Sequence, residues 1–284
     1  MKDAFYNSEA LNITYSKLIV RLGYSSPYLM DEIIGLAAAH RSTIVQDDSS
    51  RDFYRQEATR LQTRALAQFN AIQPVEKQHA LSVFMFSTLL GQHVLFDTFS
   101  SGSDFSSVLD RFVDCLSLHR GIRTIVSELY PSIIAQLEEL DGPDSAMARE
   151  MGVGARTTDG GDDCAPLVDM LRQSNLSSTE AEAYDHAVDA LQQMFNNQRG
   201  SSYQRCTVVQ AWPVRVSVDY VHLLAQRRPE SLIILAFYGI LLHKARESWT
   251  VAGAGRFLVE SITSHLGSYW AGWLEIPNKM LELP

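Results

Sequence analysis

The stretch Pro229-Glu230-Ser231-Leu232-Ile233-Ile234-Leu235-Ala236-Phe237-Tyr238-Gly239-Ile240-Leu241-Leu242-His243 decides the fold. Proline suits a first helical position, where its missing N–H would have had no intrahelical partner. The run that follows carries no polar stripe, so a helix built from it packs on every side. It is the expected core helix. Its apolar length falls short of the roughly 18 residues that a bilayer crossing needs, and His243-Lys244 closes it, so no membrane span is expected there.

Upstream, residues 7–23 place Leu11, Tyr15, Leu18, Ile19 and Leu22 at helical spacing, and Ser25-Ser26-Pro27 then opens a second apolar helix that runs to His40. Asp31 and Glu32 are read there as acids near the positive end of the helix. Asp47-Asp48-Ser49-Ser50 caps a third helix over 51–72, whose stripe is Phe53, Ala58, Leu61, Ala65, Leu66 and Phe69. Residues 75–99 form a second interior helix, and 105–116 a further one, with Leu118-His119-Arg120-Gly121 as its glycine-capped end. Residues 122–140 resume the helical pattern, with Pro131 at a new first turn or a kink.

Residues 141–163, rich in Gly, Asp and Thr, lack both helical and strand periodicity and are expected to be a mobile surface loop within a single domain spanning 1–284. Beyond it, Ser177-Ser178-Thr179-Glu180 reads as a capping box for a helix over 181–196. Residues 203–212 are extended or a helix start, 213–225 a helix, and 249–273 the last helical stretch. No run alternates as strands do. The fold class is all-α, with roughly ten helices around buried apolar ones.

Composition narrows the function. Of 284 residues, 46% are hydrophobic and 20% charged, as in a globular domain, and the net charge of -9 without a Lys/Arg cluster argues against direct contact with nucleic acid. Cys115, Cys164 and Cys206 stand far apart, with neither disulfide-framework nor zinc spacing; they are expected to be reduced and mostly buried. The first residues have no apolar signal segment, so the expected location is intracellular: cytoplasmic, or nuclear for a fragment of a regulator.

The order Trp212-Pro213, Leu223-Leu224, Arg228-Pro229-Glu230-Ser231-Leu232, Leu235-Ala236, Leu241-Leu242, Trp249, Gly255, Trp270, Trp273 and Pro277 resembles the C-terminal ligand-binding domain of fungal zinc-cluster transcription factors of the sterol-uptake regulator type. The first half agrees through Ser26-Pro27-Tyr28-Leu29-Met30, Leu36-Ala37-Ala38-Ala39-His40 and Leu118-His119-Arg120-Gly121. The resemblance implies a helical domain around a hydrophobic pocket that receives a lipophilic small molecule, ergosterol in the sterol regulators, and a tendency to form homodimers. The six-cysteine DNA-binding cluster of that family does not precede Met1, so a stand-alone protein is expected. In size and helical, apolar character the chain is also similar to the hetero-Diels-Alderases of fungal secondary metabolism, which join a tropolone quinone methide to a humulene-type terpene. That resemblance implies a pericyclase without cofactor, and a sterol- or lipophile-sensing regulatory domain is the alternative.

No GxSxG, HExxH, Walker or GxGxxG motif is present in a fitting context, and no His/carboxylate grouping has metal-ligand spacing, so neither metal nor cofactor is expected. A pericyclic step needs only an apolar cleft that holds two partners in a reactive pose and one hydrogen bond to a carbonyl. Polar residues on otherwise apolar helices are His93, His119, Tyr220, His222, Tyr238, His243 and His265, most of them expected to be hydrogen-bonded core residues. Among these, Tyr238 and His222 are the candidate catalytic pair, with Arg123 and Arg215 as candidate polarising cations. Phe84, Phe86, Trp212, Phe237 and Trp249 are the candidate ligand-binding wall, and Trp270 with Trp273 a candidate dimer face.

Overall fold

The computed structural model describes residues 9–72, 76–100, 104–141, 160–200 and 205–282, and among them there are twelve α-helices, two short 3-10 segments and no strand. The helices are α1 Glu9–Ser25, α2 Pro27–Ile44, α3 Asp48–Ala71, α4 Ala80–Ser100, α5 Phe105–Asp141, α6 Ala165–Gln173, α7 Ser178–Gly200, α8 Arg205–Arg215, α9 Val218–Ala225, α10 Pro229–Lys244, α11 Ala254–Leu266 and α12 Glu275–Leu281. Most of the expected loop over 141–163 lies outside the described residues. Its end is anchored: Gly161 N–H donates to Asn196, Cys164 N–H donates to Gln192, and Asp163 accepts from Gln192 and Arg199.

The core helix α10 is buried on every side from Glu230 to His243, as its lack of a polar stripe requires. It crosses α11 at two glycines. A Cβ on Gly255 would stand 2.5 Å from the Gly239 carbonyl oxygen and 2.7 Å from His243 Cα, so only hydrogen fits between these backbones. Gly267, at φ +70°, then ends α11 in a conformation that side chains resist. The expected helix over 249–273 is therefore interrupted: a 3-10 segment, Ser268–Leu274, leads into α12.

Two helices are longer or differently placed than their proline and glycine content predicts. The end expected at Gly121 is absent, because α5 continues for 37 residues. Its first half buries Leu109, Phe112 and Leu116, its second half Leu129, Ile133 and Leu137, and burial on both sides outweighs the weak propensity of one glycine. Pro131 lies on the solvent side, where water can take the Ser127 carbonyl it leaves free. Pro213, expected near the start of a helix, lies inside α8; the break falls at Val216-Ser217, where Ser217 Oγ caps α9 by accepting from Tyr220 N–H. At the start of α7, Ser177 and Glu180 form the expected reciprocal capping box.

The helix α4 with its preceding turn, Lys77–Ser100, is long and apolar enough to cross a membrane by length and composition, but 78% of that window is buried by neighbouring helices. It packs with α2 and α5, and α2 packs most extensively with α3. Phe53, placed on the buried stripe of α3 by its spacing, is instead 58% exposed beside Tyr54; Ala58, Leu61, Ala65 and Phe69 form the buried stripe.

Candidate functional site

Two groups of residues stand out, one aromatic and one polar. The aromatic group surrounds Tyr238 in the middle of α10. Its ring stacks on Trp212 of α8 at 4.6 Å and 24°, Phe112 of α5 lies at 5.8 Å, and Tyr220 of α9 meets Trp212 edge-on at 5.6 Å. Each polar atom here has a backbone partner. Tyr238 Oη donates to the Val209 carbonyl at 2.7 Å, Trp212 Nε1 donates to Ala187 at 3.0 Å, and Tyr220 Oη donates to Ser231 at 3.1 Å. Burial pushes the Tyr238 and Tyr220 hydroxyls well above the usual phenol range, so both stay protonated donors.

The polar group lies where α2, α3 and α4 meet. His93 Nδ1 and Glu32 Oε1 are 2.8 Å apart, and both side chains are fully buried. Asp97, one turn beyond His93, has an oxygen 4.0 Å from its Nε2 and accepts from Gln62 of α3 at 3.4 Å. Burial raises the Asp97 carboxyl above its ordinary value, partly offset by His93. Next to Glu32 on α2, Asp31 accepts from Arg64 and Gln68 of α3. Gly35 of α2 lies beside the ring, where a Cβ would stand 3.4 Å from His93 Cε1. Such a pair orients an imidazole and links helices; with Nε2 buried, it offers no group to solvent.

The expected site residues do not gather at one place. Trp212, Phe237 and Tyr238 share the main core cluster, whereas Phe86, and Phe84 at its margin, belong to a second cluster with Tyr28 and Phe69. Trp249 bridges from the loop after α10, with His40 at 4.9 Å and Phe96 at 5.1 Å. His222 is exposed on α9, whose other face buries Tyr220, Leu223 and Leu224, so it and Tyr238 lie on opposite sides of that helix's contact with the core. Arg123 donates to the carbonyls of Val214 and Arg215 at the end of α8, and Arg215 donates to Gln193. Burial, then the neighbouring Arg123, lowers the Arg215 guanidinium. His265 lines a shallow open cleft of about 430 Å³ with Phe105, Glu260, Ser261 and Ser264, apart from the other candidates. Among the described residues, no three His, Cys, Asp or Glu side chains are grouped to hold a metal ion.

Sequence reasoning singled out His93 but missed Glu32, Asp97 and Gln62. A signal was present: Glu32 shares a helical face with Leu29, Leu36 and Ala39, all buried, so its carboxylate had to find a partner inside.

The chain is 24% identical over 300 aligned residues to a Zn(2)-C6 fungal-type transcription factor of Gibberella zeae, an alignment covering 99% of this chain. The chain spans 59% of that relative's length. No family model matches the chain. No solved structure matches it. The fold is thus all-α among the described residues, and the chain is similar, along nearly its whole length, to a fungal transcription factor.

Proposed function

We propose that the chain acts as the helical regulatory region of a fungal zinc-cluster regulator, one that senses a sterol or another lipophile. The observation that carries this reading is the similarity to a Zn(2)-C6 fungal-type transcription factor along 99% of the chain. The all-helical architecture around apolar α4 and α10, and the order of motifs from Trp212 to Pro277, support it. Intracellular residence, with access to the nucleus, and homodimer formation belong to the same proposal.

The test joins the chain to a heterologous DNA-binding domain and follows a reporter with and without ergosterol, alongside tryptophan-fluorescence titration of the purified chain. Ligand-dependent reporter output with saturable quenching, and the lipophile recovered intact by mass-resolved chromatography, is the expected result. Absence of both responses, with ergosterol and with a panel of terpenoids, would overturn the reading. Recovery of a cyclised adduct from a tropolone and terpene pair, faster than without protein, would replace it with the pericyclase.

A further inference from the structure

The two larger apolar clusters meet at one level of two long helices, where Val94 of α4 packs against both. On one side a cluster includes Leu81 and Leu90 of α4 with Leu129 and Leu137 of α5; on the other, Leu95 of α4 joins Leu109 and Leu116 of α5. Between these levels α4 carries the buried polar residues Gln92 and His93, and α5 carries His119. Each helix also has a glycine there, Gly91 and Gly121, where a helix resists bending least.

The two histidines are held differently. His93 has the carboxylate of Glu32 from α2, with Asp97 on its own helix and Gln62 and Arg55 of α3 acting on Asp97. His119 has no counterpart to these. Its Nδ1 donates to the Cys115 carbonyl at 2.8 Å, and its Nε2, buried and without a hydrogen-bond partner among the described residues, lies 2.9 Å from where a Cβ on Gly91 would stand. Gln210 of α8 reaches the same point with Oε1 at 3.7 Å. Cys115 on its own helix and Gly91 of α4 lie against the ring, with Gln210 of α8 beside Gly91, and no charged side chain acts on the imidazole. Burial accordingly lowers the imidazole below its ordinary value.

We propose that this level is an acid-sensitive seam: protonating His119 places a charge without counter-charge between two apolar clusters, which then open independently while each keeps its own packing. The seam is a property of the fold and does not depend on the identity of any ligand. His243 is also lowered, by burial and by Arg246 and Arg256, but it sits at the end of α10, and its protonation acts there.

Native-state hydrogen exchange at about pH 7.5 and about pH 5.5, bracketing the ordinary imidazole range, tests the seam. On acidification, peptides from the middle of α4 and α5 are expected to lose at least about tenfold more protection than those from the middle of α10, whose full burial gives a measure of global opening. His119→Asn, which keeps a donor for the Cys115 carbonyl, is expected to remove that difference. Loss of protection by one factor throughout the wild-type chain, or the same difference in His119→Asn, would overturn the proposal. Should the variant not fold, imidazole NMR of the wild type decides: titration of His119 while α10 stays protected supports the seam, and a ring neutral until global unfolding refutes it.

Discussion

Tyr238 supplies the hydrogen bond that Pro213 withholds. In an uninterrupted helix the Val209 carbonyl would accept from the N–H four residues on, but that position in α8 is Pro213, which has none. The Tyr238 hydroxyl, brought in by α10, takes that acceptor at 2.7 Å. The tyrosine read from sequence as a candidate donor to a substrate is thus engaged by a backbone oxygen of its own chain. Tyr238→Phe leaves that carbonyl buried without its partner and is expected to lower unfolding free energy by about 1–3 kcal/mol. Pro213→Ala restores an N–H four residues on, so the loss in the double variant should be smaller than the sum of the singles. Chemical denaturation of the four proteins measures the coupling; strict additivity would show that the two residues do not share Val209.

The α10–α11 crossing predicts an order of severity. At Gly255 an added methyl meets backbone atoms of Gly239 and His243, which cannot yield without separating the helices; at Gly239 its nearest neighbour is the Val259 Cγ2 methyl, at 2.8 Å. Both alanine substitutions should destabilise, Gly239→Ala by about 1–3 kcal/mol and Gly255→Ala by more. Denaturation midpoints in which Gly239→Ala is the worse variant would contradict this packing.

Breaking the Glu32–His93 pair from one side should be far costlier than replacing it whole. Glu32→Ala leaves a buried imidazole beside an emptied site, and a loss of about 3–5 kcal/mol is expected. Glu32→Met combined with His93→Leu exchanges the pair for apolar side chains of similar volume and should recover most of that loss. A double variant as unstable as Glu32→Ala would mean that the pair provides net stability that packing cannot replace.

Much of this architecture was legible in the sequence, and the failures have particular causes. Helix α10 was legible because an apolar run without a polar stripe admits few alternatives, and α2 because Ser26-Pro27 marks its start. Gly121 and Pro131 misled because local propensity is weak beside the burial of Leu116 before them and Ile133 after them. Phe53 fits the stripe of α3 by spacing, yet its side chain is exposed, because spacing alone does not say where along a helix its neighbours lie. The Glu32–His93 pair joins residues 61 positions apart, and no local pattern links them. Tyr238 was singled out correctly as a hydroxyl needing a partner; which partner depended on how α8 packs against α10.

Thiol chemistry should separate the cysteines from bulk solvent. Burial pushes the Cys115 thiol up to about 12 and raises Cys164 as well, with Asp163 adding to the latter. Mass mapping after alkylation near neutral pH should find both unmodified in the native protein and modified in denaturant. The side chain of Cys206 lies outside the described residues. Modification of Cys115 under native conditions would show that the core opens around it.

Stability should fall as the pH drops below about 6.5, the ordinary value of an imidazole. His119 and His243 have folded-state values below their unfolded ones, so the unfolded chain binds protons first and their contribution is lost through that window. Asp97, raised by burial, acts oppositely: the folded state binds its proton first, offsetting part of the loss above the ordinary carboxyl range. Denaturation curves at several pH values check the sign, and a rise in stability between about pH 7 and about pH 6 would contradict it.

The sharing of α4 and α5 between the two apolar clusters limits how the molecule can be dissected. Leu81 and Leu95 lie on one continuous helix, as do Leu116 and Leu129, yet each pair serves different clusters. Shortening the chain to either cluster alone would expose apolar surface on both spines at once, so truncated fragments should be insoluble even where they retain one cluster intact. Exchange of parts with a related protein would have to carry both spines together, leaving point substitution as the practical route to assigning roles within this fold.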